Sequence, residues 1–129
     1  VPRFVSGSGL REHDGLMGRS PYIDEGVRLF AAGDYFLAHE TLEEHWVEAE
    51  EAERAFLQGL IHLSVGLLHA GRGNPRGALL QFRKAATRLE GYPDVHRAID
   101  LAAVRTFLAE APAKLEAGEP LTPPALDAG

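Results

Sequence analysis

The chain reads as all-α: five to six helices in antiparallel pairs, packed like tetratricopeptide hairpins around a central apolar helix. Three observations predict this. No stretch alternates apolar and polar residues with period two over strand length. Apolar residues recur instead at helical spacing between cap and breaker signals. One stretch, 52–71, is apolar on nearly every side, as the middle of a helical assembly should be.

Residues 1–20 hold Gly7, Gly9, Gly15 and Gly18 without apolar periodicity and read as an irregular lead-in. Ser20-Pro21 then offers a cap and a proline at the first helical position, and Ile23, Val27, Phe30 and Ala31 recur until Gly33. Asp34 caps a second helix, about 35–50, with the acidic run 48–53 across its end. The third, 52–71, carries Phe56, Leu57, Leu60, Ile61, Leu63, Val65, Leu67 and Leu68. Gly71-Arg72-Gly73-Asn74-Pro75 breaks the chain and opens a fourth helix that ends near 90–91. Tyr92-Pro93-Asp94 is a turn. From 95 to about 118 the pattern is helical again, with Asp100 placed to cap a fresh start and Pro112 to kink or interrupt the later part. Prolines at 120, 123 and 124 predict an extended tail over 119–129. The organisation is therefore a lead-in over 1–20, one helical domain over 21–118, and the tail. Gly33, Ala38, Leu42 and Trp46 also find counterparts at Gly73, Ala78, Phe82 and Ala86, an internal echo of a helical pair.

Composition narrows the function classes. A chain of 129 residues supports one core, and the lack of cysteine excludes disulfide scaffolds and thiolate zinc sites. No apolar run approaches the ~18 residues of a membrane span and no signal segment opens the chain, so no membrane partner and a cytoplasmic location are expected. The net charge of −6 argues against a nucleic-acid coat. Its distribution says more: residues 34–53 hold eight carboxylates and no Lys or Arg, whereas 72–97 hold six bases against two acids. Arg76, Arg83, Lys84 and Arg88 flank the face opposite Ala78, Phe82, Ala85 and Leu89. Such segregation reads either as two solvated faces that pair locally or as docking surfaces, for an unknown protein partner or for self-association.

On the second helix Tyr35, Ala38, Leu42, Trp46 and Ala49 share the inner face, with Leu37, Thr41, Glu44 and Glu48 opposite. His39 and Glu43 lie beside the Trp46 stripe, and the wheel turns apolar again at Phe36 and Val47. This predicts a buried position for the pair, with Glu40 at its margin. The third helix offers Gln58, His62 and His69 on one stripe, beside a small-residue face of Ala52, Gly59, Gly66 and Ala70. His39 and Glu43 are expected to face Gln58 and one or both histidines across an antiparallel contact. Buried groups of this kind need partners. The cluster therefore reads first as a structural or pocket-forming hydrogen-bond network that needs no cofactor. The alternative is a divalent metal held by His39, Glu43 and His69, serving a metal-binding protein or a hydrolase that also uses Glu40. His39-Glu40-Thr41-Leu42-Glu43 resembles a zincin helix with its second histidine replaced by glutamate. Trp46 reads as core.

From 30 to 77 the chain resembles a known family, the domain of unknown function 309. The resemblance rests on Ala32-Gly33-Asp34-Tyr35-Phe36, then His39-Glu40-x-x-Glu43-x-x-Trp46, then Gln58-Gly59-Leu60-Ile61, then His69 before Gly73-Asn74 and Gly77. It implies an all-helical domain of tandem antiparallel pairs, with His39, Glu40, Glu43, Trp46, Gln58 and Gly59 shared with the motif. It implies no activity. The function expected is a binding or protein-interaction module.

Overall fold

The computed structural model describes residues 20–128; the lead-in expected over 1–20 lies outside the described residues apart from Ser20. Five helices make up most of it: α1 (Pro21–Ala31), α2 (Tyr35–Glu48), α3 (Glu51–Gly71), α4 (Pro75–Arg88) and α5 (Leu101–Ala117). The domain is all-α with one addition, an antiparallel ribbon of β1 (Val95–His96) and β2 (Ile99–Asp100).

Four of the five helices start where the sequence supplies an oxygen for a free N–H group. Ser20 Oγ accepts from the Ile23 N–H at 3.2 Å, and Asp34 Oδ1 accepts from Leu37 at 3.2 Å. Asn74 Oδ1 accepts from Gly77 at 3.0 Å, and Asp100 Oδ1 from Ala103 at 2.9 Å. The corners between α1 and α2 and between α3 and α4 are the same joint, 40 residues apart. Gly33 and Gly73 take the left-handed φ values of 82° and 75°. The Gly33 N–H bonds the Phe30 carbonyl and the Asp34 N–H bonds Leu29; the Gly73 N–H bonds Ala70 and the Asn74 N–H bonds His69. Each glycine closes one helix end, and the next residue caps the following helix. The match extends into packing. A Cβ on Gly26 would lie 2.9 Å from Leu42 Cδ2, and one on Gly66 would lie 2.6 Å from Phe82 Cδ1 and closer still to Cε1. Ala38 and Ala78, both fully buried, occupy corresponding places. The echo in the sequence is thus a repeat of geometry.

The central helix is α3, which packs on α2 and on α4, while α4 packs in turn on α5. Its Phe56, Leu57, Leu60 and Leu63 are withdrawn from solvent. Gly59 makes room for Leu89 and Gly66 for Phe82, so the small-residue face is where α4 passes closest. Phe82 meets Phe107 of α5 edge-on at 5.2 Å.

The expectation of a helix from 95 is corrected by the ribbon. Its two-residue turn places Arg97 and Ala98 at φ 51° and 59°, the left-handed conformation such turns demand and a helix forbids. Pro112, expected to kink or interrupt, lies exposed within α5, which continues to Ala117. The tail returns to the ribbon: the Asp100 N–H bonds the Leu126 carbonyl at 2.8 Å, the Ala128 N–H bonds Ala98 at 3.0 Å, and Leu126 is buried. No described helix is long and apolar enough to cross a membrane. Alanine at a left-handed φ costs roughly 1 kcal/mol. Ala98→Gly is therefore expected to raise the unfolding free energy by about 0.5–1 kcal/mol, measured by urea titration.

Candidate functional site

The inner stripe of α2 is as predicted: Ala38 and Leu42 are buried, and Tyr35, Trp46 and Ala49 pack against the core. Its outer surface corrects the expected buried sector. Phe36 and Val47 are 45% and 64% exposed, Glu40 is exposed, and the Glu43 side chain is 57% exposed, while Leu37 is exposed on the outer face where it was expected. At ~100° per residue Phe36, Glu40, Glu43 and Val47 fall on one narrow stripe, with Glu44 beside it. An apolar residue stands at each end of this stripe and carboxylates stand between. His39 is the shielded member of the group. Its Nδ1–H donates to the Phe36 carbonyl at 2.6 Å, its ring leans on Phe36, and its Nε2 lies 3.9 Å from Glu43 Oε1.

The histidines of α3 turn away from that pair. His62 Nδ1–H donates to Gln81 Oε1 of α4 at 2.7 Å, and His69 Nδ1 accepts from the Asn74 side chain at 3.2 Å. The reason is helical register: Gly59, His62, Gly66 and His69 are three or four residues apart and share the face that α4 covers. Burial, and secondarily the charges of Lys84 and Arg88, hold the His62 pKa below its usual value against the opposing bond to Gln81. Gln58 is half-buried. The three histidines thus sit in separate pairs, His39 with Glu43, His62 with Gln81 and His69 with Asn74. Among the described residues no group of three or more His, Asp or Glu side chains is placed to hold a metal ion, and His39, Glu43 and His69 are not such a group.

Trp46 is half-buried, and the Arg54 guanidinium lies 4.6 Å above its ring. From there Arg54 reaches the carbonyls of Ala49 at 3.3 Å and Val47 at 3.4 Å, neutralising the negative end of α2. The Trp46 Nε1–H is buried without a hydrogen-bond partner among the described residues.

Sequence reasoning missed a second polar cluster where α3 meets the ribbon. Glu53 of α3 accepts from Arg97 Nε at 2.8 Å and from His96 Nε2 at 3.0 Å. Burial pushes the Glu53 pKa up, but the bonds from Arg97 and His96 outweigh it and hold the carboxyl below its usual range. His45 of α2 stacks on Tyr22 and lies 3.4 Å from Ser20 Oγ. Burial first, then the Arg97 charge, lowers the His45 pKa. Tyr92 completes the junction: its hydroxyl donates to the Ala52 carbonyl at 2.7 Å and accepts from the Phe56 N–H at 3.1 Å. Glu53 was hidden in the run of surface acids. Its signal is register, because it stands three and four residues before Phe56 and Leu57, the buried side of the helix.

Fold and site together define a small domain of two matched helical hairpins, closed by a fifth helix and offering an acidic outer helix with apolar ends. The chain belongs to the family described as domain of unknown function DUF309, whose model matches residues 23–80. It is similar to an uncharacterized protein of Aquifex aeolicus (strain VF5), 30% identical over 108 residues, which are 82% of this chain and 32% of that one. It is also similar to the uncharacterized protein YpuF of Bacillus subtilis (strain 168), 39% identical over 80 residues, 61% of this chain and 44% of that protein. The matched part is thus less than half of either relative. A crystal structure of the conserved hypothetical protein TTHA0068 from Thermus thermophilus is similar with a TM-score of 0.61 and 38% identity, over 76% of this chain and 99% of that one.

Proposed function

We propose that the domain is a protein-docking module whose contact surface is the outer stripe of α2. The observation that supports this is the exposure of Phe36 and Val47 on a helix whose other side already packs in the core. Phe36 and Val47 are large apolar side chains of the kind a partner's surface can bury as anchors, and the carboxylates between them supply the charge that selects the partner. The Glu53 cluster takes the structural role in this reading, joining α3 of the second hairpin to the ribbon. To test it, the immobilised domain is offered a bacterial extract supplemented with tagged copies of the same chain. The natural chain is expected to retain a partner that Phe36→Asp/Val47→Asp does not, while both unfold within about 0.5 kcal/mol of each other. Equal retention by the two chains overturns the reading.

A further inference from the structure

The two hairpins repeat with a shift of 40 residues, so every position on α2 has an equivalent on α4. The outer stripe Phe36, Glu40, Glu43, Val47 corresponds to Arg76, Leu80, Arg83, Thr87, and Glu44 corresponds to Lys84. Arg76, Arg83 and Lys84 are exposed, and Leu80 is 51% exposed between them. At the paired positions 43/83 and 44/84 the charge is inverted on matching surfaces. Among the described residues no ion pair joins α2 to α4, and Arg76, Arg83 and Lys84 take part in none. Each copy therefore displays an acidic surface with apolar ends and a basic surface with an apolar centre, both about three helical turns long.

We propose that the partner of the α2 stripe is the α4 stripe of a second copy, in a two-fold dimer where each α2 lies on the other copy's α4. This rests on the docking reading above and names its occupant. Charge selects the arrangement. Pairing α2 with α2 would set Glu43 and Glu44 against the same carboxylates, whereas α2 on α4 sets them against Arg83 and Lys84. A two-fold axis repeats the contact, so the acidic and basic surfaces of both copies are used at once. Phe36, Val47 and Leu80 are then covered from water.

Sedimentation of the purified full chain tests the proposal. The natural protein is expected to be a dimer in about 50 mM salt that dissociates by about 500 mM, as exposed charge pairs require. Glu43→Lys/Glu44→Lys leaves both surfaces basic, and Arg83→Glu/Lys84→Glu leaves both acidic. Each variant alone is expected to dimerise at least about tenfold more weakly. An equimolar mixture of the two has complementary surfaces at both contacts and is expected to regain the dimer, with helical content unchanged by circular dichroism. A natural chain that stays monomeric at low salt up to about 1 mM overturns the pairing, the α2 stripe then having another occupant, residues 1–19 or a different protein. A dimer indifferent to either reversal, or a mixture that stays monomeric or grows beyond a dimer, also overturns it. The docking reading falls separately, if Phe36→Asp/Val47→Asp retains the same partners as the natural chain.

Discussion

Gly66→Ala is expected to lower the unfolding free energy by about 2–3 kcal/mol, with a fall in melting temperature of about 10 °C. An alanine in mid-helix normally stabilises by up to about 1 kcal/mol. Here the new methyl meets Phe82 Cδ1 at 2.6 Å and Cε1 closer still, nearer than carbon atoms pack. The ring has nowhere to go, being 1% exposed and set edge-on against Phe107. Either α4 moves off α3 or the ring leaves its rotamer, and each outcome loosens the helix pair at the centre of the fold. Phe82→Leu removes the obstructing ring carbons at its own cost in packing. In the double variant the two losses should fall short of their sum by about 1–2 kcal/mol, measured by urea denaturation of all four chains. Strict additivity would refute the contact as the cause.

Glu53→Gln is expected to cost about 2 kcal/mol, because it leaves the Arg97 guanidinium facing a neutral amide in a junction only 15–21% exposed at the three side chains. The remaining solvent access keeps the figure below that of a fully buried pair. Its pH signature separates it from ordinary packing loss. With the Glu53 pKa held down in the fold, the unfolded chain takes up the proton first on acidification. The stabilisation is fully present above the usual carboxylate pKa of roughly 4.3 and is lost as pH falls through the depressed value. His45 and His62 act in an earlier window. Their lowered pKa values mean that the unfolded chain binds protons first below roughly pH 6.5, so stability declines from there toward acid. The natural chain should lose stability in two steps, and Glu53→Gln should lack the more acidic one. A variant that keeps that step would place its origin in another carboxylate.

Much of the architecture was legible because it is written in local chemistry. The cap residues Ser20, Asp34, Asn74 and Asp100, and the glycines at 33 and 73, act within a few residues of their own positions. The apolar stripe of α2 and the small-residue face of α3 follow from helical period alone. The ribbon was not legible, since strands of two residues have no period to detect and Arg97-Ala98 lacks the Asn-Gly signature of its turn. The candidate site fared unevenly for a different reason. Wheel geometry ranks positions around one helix, but it does not say how wide a sector the neighbours cover. Phe36 and Val47 lie just beyond the edge covered by the core, and His62 and His69 turn toward α4 rather than α2. The α2 stripe became recognisable as a surface only once the packing of α3 was known.

The spacing of the junction contacts along the chain bears on how the domain reaches its native state. The two glycine-capped corners join residues five or fewer positions apart, whereas Tyr92 reaches Ala52 across 40 residues and Arg97 reaches Glu53 across 44. Closing a long loop carries an entropic cost that short corners avoid. The hairpins can therefore assemble first, each around its own glycine contact. The ribbon and α5 carry the larger closure cost, which the contacts of Tyr92 and Arg97 with α3 and of Phe107 with Phe82 offset.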